Sequence, residues 1–232
     1  MINISNEAVS LTDINNNKPK YDKNKWKKIM DTTQSNYANM IKRLTRKSKF
    51  SNFILIYYRI FLIITTLTCK YFSNYYNVIL SEYFSIILSV VMLAYSLINN
   101  NANYSVRIHN LENSLNELKN LKRKLDQEDL VECVEKYNDI TDKTERRDDI
   151  DFFITVMNLA KLYDVSIIFK RKKRKFKTSN EEKVDVVLEY LSEISVTLQL
   201  SKILLEYLWY LVVICIPVLM FMVCIFGKNL FL

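Results

Sequence analysis

His109 lies near the start of the segment "YSVRIHNLENSLNELKNLKRKL", residues 104–125, three positions before Glu112. Residues three apart are neighbours on a helix, so this pair could share a metal ion or a proton. Two ligands do not complete a metal site, and no second histidine is present for a catalytic triad or a proton relay. We expect a histidine on a helix surface or between subunits, and a modulating role that responds to pH or to a ligand is the alternative.

Other chemical motifs are absent from the sequence. There is no Gly-rich phosphate loop, no H-E-x-x-H and no G-x-S-x-G. The four cysteines form no C-x-x-C pair, and three of them lie in apolar runs, where cysteine behaves as a small hydrophobic residue. We therefore predict a protein that is not an enzyme and that has no catalytic residue, no cofactor and no metal site.

A basic cluster, "KRKKRKFK", occupies residues 170–177. Clusters of this kind contact anionic lipid headgroups, bind a polyanionic partner or a nucleotide ligand, act as nuclear addresses, or are simply solvated. Because the cluster joins two helices of a chain with membrane spans, described below, lipid contact or solvation is favoured, and direct nucleic-acid binding is not expected. The candidate contact residues are Lys170, Arg171, Lys172, Lys173, Arg174 and Lys175.

The composition restricts the elements that position these residues. One Gly and two Pro in 232 residues leave almost none of the turn chemistry that hairpins and bulges need, so a helical fold is predicted. A hydrophobic fraction of 50% beside a net charge of +8 indicates that apolar and charged residues are segregated along the chain.

Three apolar segments indicate membrane spans. Phe53–Cys69 is interrupted only by Arg59, Tyr83–Ile98 is of similar length, and Tyr207–Phe226 has 20 residues without a charge. The first two are close to the lower limit of roughly 17 residues for crossing a bilayer, and a buried hairpin of a soluble bundle is the alternative for them. Pro217, in the third segment, is tolerated in lipid. The predicted fold class is an all-α membrane protein with three transmembrane helices and a cytoplasmic helical bundle or coiled coil.

The charge distribution predicts the organisation of the chain. Residues 1–34 form a polar and basic tail, 35–98 an amphipathic lead-in helix and a two-span hairpin, 99–202 a cytoplasmic helical region, and 203–232 the third span with a short tail. The basic residues before the first span and in the cluster at 170–177 should face the cytoplasm. The N-terminus is therefore expected inside and the C-terminus outside.

Three helices are predicted in the cytoplasmic region. The first continues the second span without a helix breaker and carries apolar residues at alternating spacings of four and three, which is typical of a coiled coil of about three heptads. The second covers residues 148–169, and the third begins near "TSNEEK" and continues into the last span. The expected oligomerisation stripe consists of Tyr104, Ile108, Leu111, Leu115, Leu118 and Leu125.

Small polar residues share helix faces within the first two spans. Close packing between helices explains such faces, and a polar lining for a water-filled path between several copies is the alternative. Arg59 would then form a cationic ring near the inner mouth, although it could equally extend back to the headgroups. The pore-lining candidates are Arg59, Thr65, Thr66, Ser85, Ser89 and Ser96.

The order of these features resembles the bacterial SLATT family. The lead-in "NYANMIKRLTRKSKF", two short spans, a Tyr-x-x-Arg-x-His helix, and the downstream "KYNDI" and "DDIDF" carry the resemblance over roughly residues 35–169. Arg146 and Arg147 stand where the pattern has an Asn-His type pair, and the third span is additional to the two-transmembrane pattern. The matching positions are Tyr37, Ala38, Arg43, Leu44, Tyr104, Arg107, His109, Leu115 and Leu118.

The resemblance implies an effector in the bacterial inner membrane. Such proteins are found beside nucleotide-second-messenger synthases or reverse transcriptases in phage-defence loci, and their expected activity is an oligomeric pore or disruption of the membrane that kills or arrests the cell. The implied partners are the lipid bilayer, further copies of the chain, and a nucleotide second messenger, a nucleotidyltransferase or a reverse transcriptase. The alternative function is a non-conducting membrane scaffold that recruits a soluble partner through its coiled coil.

Overall fold

A computed structural model describes residues 22–72, 74, 77–127, 129–163, 165–166, 171–172, 187–192 and 194–226 of the chain. These residues are almost entirely helical, which confirms the all-α class. The elements are α1 (Lys23–Tyr71), α2 (Val78–Asn101), α3 (Tyr104–Lys124), α4 (Leu130–Lys143), α5 (Asp149–Leu162), β1 (Val165–Ser166), β2 (Arg171–Lys172) and α6 (Val196–Phe226). Residues 187–192 are also helical.

The chain forms two compact units. The bundle unit consists of residues 1–42 and 109–199, and the span unit consists of residues 43–108 and 200–232. The chain passes between the units after residues 42, 108 and 199, and the predicted boundaries at residues 35, 99 and 203 stay a prediction. Helices α1, α3 and α6 each contribute residues to both units.

Helix α1 begins earlier than the sequence predicted. The tail was expected to extend to residue 34, whereas α1 is a helix of 49 residues that begins at Lys23. Asp22 caps its N-terminus, because the side chain accepts a hydrogen bond from the backbone N–H of Asn24 at 2.9 Å. The first helical turns are retained by packing, since Met30 and Met40 are fully buried in the bundle unit.

Within the described part of the chain three helical stretches are long and apolar enough to cross a membrane, which confirms the prediction of three spans by length and composition. They are α1, the stretch Val78–Lys124 whose apolar part is α2, and α6, and large aliphatic and aromatic side chains remain exposed along them. Exposed apolar surface of this extent is typical of helices that face lipid. The protein is therefore a membrane protein.

The prediction that the second span continues unbroken into the next helix is wrong. Helix α2 ends at Asn101, and α3 begins at Tyr104. Between them Asn103 has a φ of 45°. This left-handed conformation is one that asparagine tolerates better than most residues, so a break forms without Gly or Pro.

Asn103 gives a first testable prediction. Asn103→Val should lower the free energy of unfolding by about 1–2 kcal/mol, because a β-branched side chain is strained at positive φ, and Asn103→Gly should be tolerated. Thermal unfolding of the purified chain in detergent measures both effects. Asn101→Val, at the exposed last residue of α2, is the matched control. Equal losses for the two valine variants would contradict a special backbone at Asn103.

One described helix of the bundle unit was not predicted from the sequence. Two predicted helices are shorter or interrupted. Helix α4 was not predicted, although Leu130, Cys133 and Ile140 are buried on one side of it. Helix α5 stops at Leu162 instead of continuing to residue 169, because the chain changes to the antiparallel β1–β2 pair. The last predicted helix is also interrupted, at residues 194–195, before α6 begins. Its predicted start near residues 178–183 lies outside the described residues.

Candidate functional site

The start of the span in α1, the end of α2 and the start of the span in α6 meet within the span unit. Phe50 of α1 stacks on Tyr210 of α6 with ring centroids 3.9 Å apart, and the Arg46 guanidinium lies 3.7 Å from the Glu206 carboxylate. Ser51 donates to Asn99 of α2 at 2.5 Å. Aromatic and charged groups of this kind are typical of a membrane interface. The start of α1's span, the end of α2 and the start of α6's span are therefore at one level.

The opposite ends of α2 and α6 also meet. The backbone N–H of Asn77 donates to the carbonyl of Cys224 in α6 at 3.1 Å, and the Asn77 side chain caps α2 by accepting from Leu80 at 3.1 Å. Helices α1 and α2 are thus antiparallel, and α6 runs parallel to α1.

A pair of tyrosines on α1 contacts the proline-containing turn of α6. Pro217 has no backbone N–H, so the carbonyl of Val213 lacks its usual helical donor. The Tyr58 hydroxyl donates to that carbonyl at 2.7 Å, and the Tyr57 hydroxyl donates to the next carbonyl, of Ile214, at 3.1 Å. We call these two bonds the tyrosine clasp. Since lipid supplies no donor, the clasp satisfies a carbonyl that the membrane would otherwise leave unpaired.

The clasp was not predicted from the sequence. Pro217 was expected only to be tolerated in lipid, and no role was expected for the two tyrosines. A signal was present, because a buried tyrosine hydroxyl in an apolar span needs an acceptor and a helical proline exposes one. Only the pairing of α1 with α6 identifies which carbonyl that is.

The predicted pore-lining residues differ in how exposed they are. Arg59, Thr66 and Ser89 are exposed, whereas Thr65 is 4% exposed and enclosed by its own unit. Ser85 and Ser96 are half-buried. The hydroxyls of Thr65, Thr66 and Ser89 donate to carbonyls four residues earlier at 2.8–2.9 Å, so each donor is satisfied within its own helix. The pore-lining role of the set stays a prediction.

Exposed polar residues recur every seven positions on two spans. On α1 they are Asn52, Arg59 and Thr66, and on α2 the same spacing relates Glu82, Ser89 and the half-buried Ser96. Seven residues are nearly two helical turns, so each set keeps to one side of its helix. We call the two sets together the polar stripe. Asn52 and Glu82 were missed, although their spacing alone would have revealed them.

Arg59 is the charged residue deepest in the first span. At 1.5 Å per residue it lies about 13 Å along α1 from the Phe50–Tyr210 pair and about 9 Å from the start of the predicted span at Phe53. No acidic partner contacts it among the residues that the structure describes. A guanidinium at that depth is costly in lipid, so water or another protein surface would stabilise it.

The expected oligomerisation stripe is largely internal. Leu111, Leu118 and Leu125 are at most 1% exposed within the chain, and Leu121, which the heptad assignment skipped, is also buried. Tyr104, Ile108 and Leu115 are half-buried. The core of the bundle unit therefore accounts for the three leucines without a second copy. Self-association through the stripe stays a prediction.

His109 is exposed, as the sequence suggested for a surface histidine. Its ring Nε2 lies 3.2 Å from the side-chain nitrogen of Asn113, one turn further along α3. Among the described residues no group of three or more His, Cys, Asp or Glu side chains could hold a metal ion. A modulating role for His109 stays a prediction.

A buried polar layer joins α1 to α5 in the bundle unit. The Asn39 side chain donates to the Thr155 hydroxyl at 2.8 Å, and that hydroxyl lies 2.8 Å from the acceptor oxygen of Asn36. Asp151, also buried, accepts from the backbone N–H of Asp148 at 3.1 Å in a capping box. Satisfied buried networks fix one packing arrangement, which explains the polar residues in the lead-in and in "DDIDF".

Arg147, which departs from the SLATT pattern, belongs to the same unit. Its guanidinium carbon lies 4.1 Å from the ring centroid of Phe152, within range of a cation–π contact. Burial lowers the pKa of Arg147 below its ordinary value, while the nearby Tyr137 opposes the change. Burial also raises the pKa of Tyr137, whose hydroxyl lies 2.8 Å from that of Thr33. These contacts are structural, because they join α1, α4 and α5.

The predicted lipid-contact cluster lies mostly outside the described residues. Lys170 and residues 173–175 are not described, and Arg171 and Lys172 are described only as the backbone of β2. Contact of this cluster with lipid or with a polyanion therefore stays a prediction.

Comparison with known proteins gives one family match. A model described as "SMODS and SLOG-associating 2TM effector domain family 5" matches residues 18–224. The match extends beyond residues 35–169, over which the sequence motifs carried the resemblance, and it includes nearly all of α6. No curated protein and no solved structure matches the chain.

Proposed function

Because this chain belongs to the family of SMODS and SLOG-associating 2TM effector domains, the SLATT family, we propose that it is a pore-forming membrane effector of a bacterial antiphage defence system. Several copies assemble in the inner membrane, and the polar stripes of their spans line a path for ions or destabilise the bilayer. Loss of the membrane barrier then causes abortive infection. The mechanism requires no catalytic residue and no cofactor of the chain's own.

The single observation that supports this proposal most strongly is the exposed position of Arg59 within the first span. One chain leaves the guanidinium on its lipid-facing surface, together with Thr66 and Ser89 of the polar stripe. When several copies assemble around a water-filled path, these groups face water. The cost of exposing a charge to hydrocarbon is then removed. The excess of basic residues at the first end of α1's span supports a cytoplasmic N-terminus, and the parallel direction of α6 then puts the end of α6 at Phe226 on the outer side.

The trigger is proposed to come from a partner. A second-messenger synthase or a reverse transcriptase encoded beside the protein would report infection, either through a nucleotide or by direct contact. Direct binding of nucleic acid by this chain is not part of the mechanism. The identity of the neighbouring genes tests this step, and the absence of any such enzyme would contradict it.

Ser89→Phe tests the pore. A bulky ring on the polar stripe should reduce dye release from liposomes that contain the activated protein by about tenfold or more, because it narrows a path lined by small hydroxyls. Val91→Phe is the matched control, since Val91 is also exposed on α2 but lies about 200° around the helix from Ser89. Chemical cross-linking of both variants confirms that assembly is retained.

A scaffold would give a different result. If both phenylalanine variants released dye as the wild type does, the polar stripe would not line the path. If neither the wild type nor any variant released dye although the cells still arrested, the conducting role would be wrong. Recruitment of a soluble partner to the membrane would then remain as the function, and the stripe is compatible with it because its hydroxyls are already satisfied within their own helices.

A further inference from the structure

A cleft in the bundle unit is lined mainly by cationic side chains. It lies between the first part of α1 and the last part of α3 and has a volume of about 310 Å³. This is at the lower end of the range for small-molecule sites, roughly 300–1,000 Å³. The lining residues are Lys27, Gln34, Lys119, Lys122, Arg123 and Asp126.

The charges of the cleft are only partly balanced. Lys122 forms an ion pair with Asp31, and Lys27 lies 3.8 Å from Asp126 in a contact between two exposed side chains. Lys119 and Arg123 have no acidic partner within 4.0 Å in the described part of the chain. Because they are four positions apart on α3, the two cations repel each other. An anion between them would relieve that repulsion.

The helix dipole explains only some of the cationic residues that line the cleft. Basic residues in the last turn of a helix interact favourably with its carbonyl end, which accounts for Lys122 and Arg123. It does not account for Lys119, one turn earlier, or for Lys27, which lies near the N-terminus of α1 where the dipole disfavours a cation. Gln34 donates to the carbonyl of Leu118 at 3.2 Å and so fixes α1 beside α3 at the cleft.

We propose that this cleft binds a phosphate-bearing anion. Arg123 supplies a planar guanidinium that donates two parallel hydrogen bonds to phosphate oxygens, while Lys119 and Lys27 contribute point charges from both helices. The phosphate belongs either to a soluble phosphoester or to the headgroup of an anionic lipid, and both present the same chemistry to these side chains. The inference goes beyond pore formation and does not depend on it, since binding is measured on the inactive purified chain.

Titration calorimetry with inorganic triphosphate tests the soluble source. The full chain in a neutral detergent should bind triphosphate, and Lys119→Gln/Arg123→Gln should weaken binding by about tenfold or more, because two charge-assisted contacts are lost. Lys42→Gln/Lys161→Gln removes the same charge from exposed positions of the bundle unit outside the cleft, and binding should change less than about twofold. Raising the salt concentration should weaken wild-type binding. Circular dichroism checks that both double variants are folded.

The lipid source is tested with the same proteins. Phosphatidylglycerol that copurifies with each variant is quantified after exchange into nanodiscs of phosphatidylcholine alone. Loss of retained phosphatidylglycerol in the Lys119/Arg123 variant alone would support a headgroup, and loss of triphosphate binding in that variant alone would support a soluble phosphoester. If wild type bound neither probe, or if the two double variants behaved alike in both assays, the proposal would be overturned.

Discussion

Replacing Leu118 with alanine is expected to destabilise the bundle unit by about 2–5 kcal/mol. The Leu118 side chain is 0% exposed within a single chain, so its removal leaves a cavity that the surrounding helices fill only in part. Chemical denaturation of the purified protein in detergent, followed by circular dichroism, measures the loss. The loss should be the same at low and high protein concentration, because the contacts are intramolecular.

The control for Leu118→Ala is an apolar residue on the surface of the bundle unit. Val131 on α4 is 51% exposed, and Val131→Ala should change the free energy of unfolding by no more than about 0.5 kcal/mol. A loss at Leu118 that disappeared at high protein concentration would show that the leucine stripe is an interface between copies. In that case the heptad interpretation would replace the internal core described above.

Removing the Tyr58 hydroxyl should destabilise the span unit. Tyr58→Phe leaves the Val213 carbonyl without a donor and should cost about 1–2 kcal/mol, since unpaired carbonyls are costly in lipid while measured hydrogen bonds in membrane proteins are modest. Tyr58 is 6% exposed, so water does not replace the lost donor. Unfolding in a graded mixture of detergents measures the change.

A double-mutant cycle tests whether Tyr58 serves the carbonyl that Pro217 leaves without a donor. Pro217→Ala restores a backbone N–H that bonds to the Val213 carbonyl, so Tyr58→Phe should be nearly neutral in that background. Tyr83→Phe, at an exposed position of α2, controls for the loss of a hydroxyl from a span. Strictly additive effects of Tyr58→Phe and Pro217→Ala would mean that the tyrosine does not serve the carbonyl freed by the proline.

The spans and the helical class could be predicted from sequence because their signals are local. A charge-free run such as Tyr207–Phe226 allows few other structures, and one glycine in the whole chain leaves little opportunity for a sheet. The break at Asn103 was harder to predict, since asparagine enters the left-handed region only when the surrounding contacts require it. The end of α5 at Leu162 likewise depends on the pairing of β1 with β2.

The candidate site was less predictable because it depends on which helices are neighbours. Thr65 and Thr66 are adjacent in sequence, yet packing within the span unit buries the first and exposes the second. The leucine stripe has the same spacing whether it packs against another copy or against α1 of its own chain. The tyrosine clasp required the location of a single carbonyl on α6.

The central claim is that the activated protein opens the membrane. The most direct test is to express it with its neighbouring genes in bacteria, infect the culture with phage, and record membrane potential with a voltage-sensitive dye while growth is followed. The account predicts depolarisation before or at the onset of growth arrest, and Ser89→Phe should abolish both. Growth arrest with an intact membrane potential would contradict it.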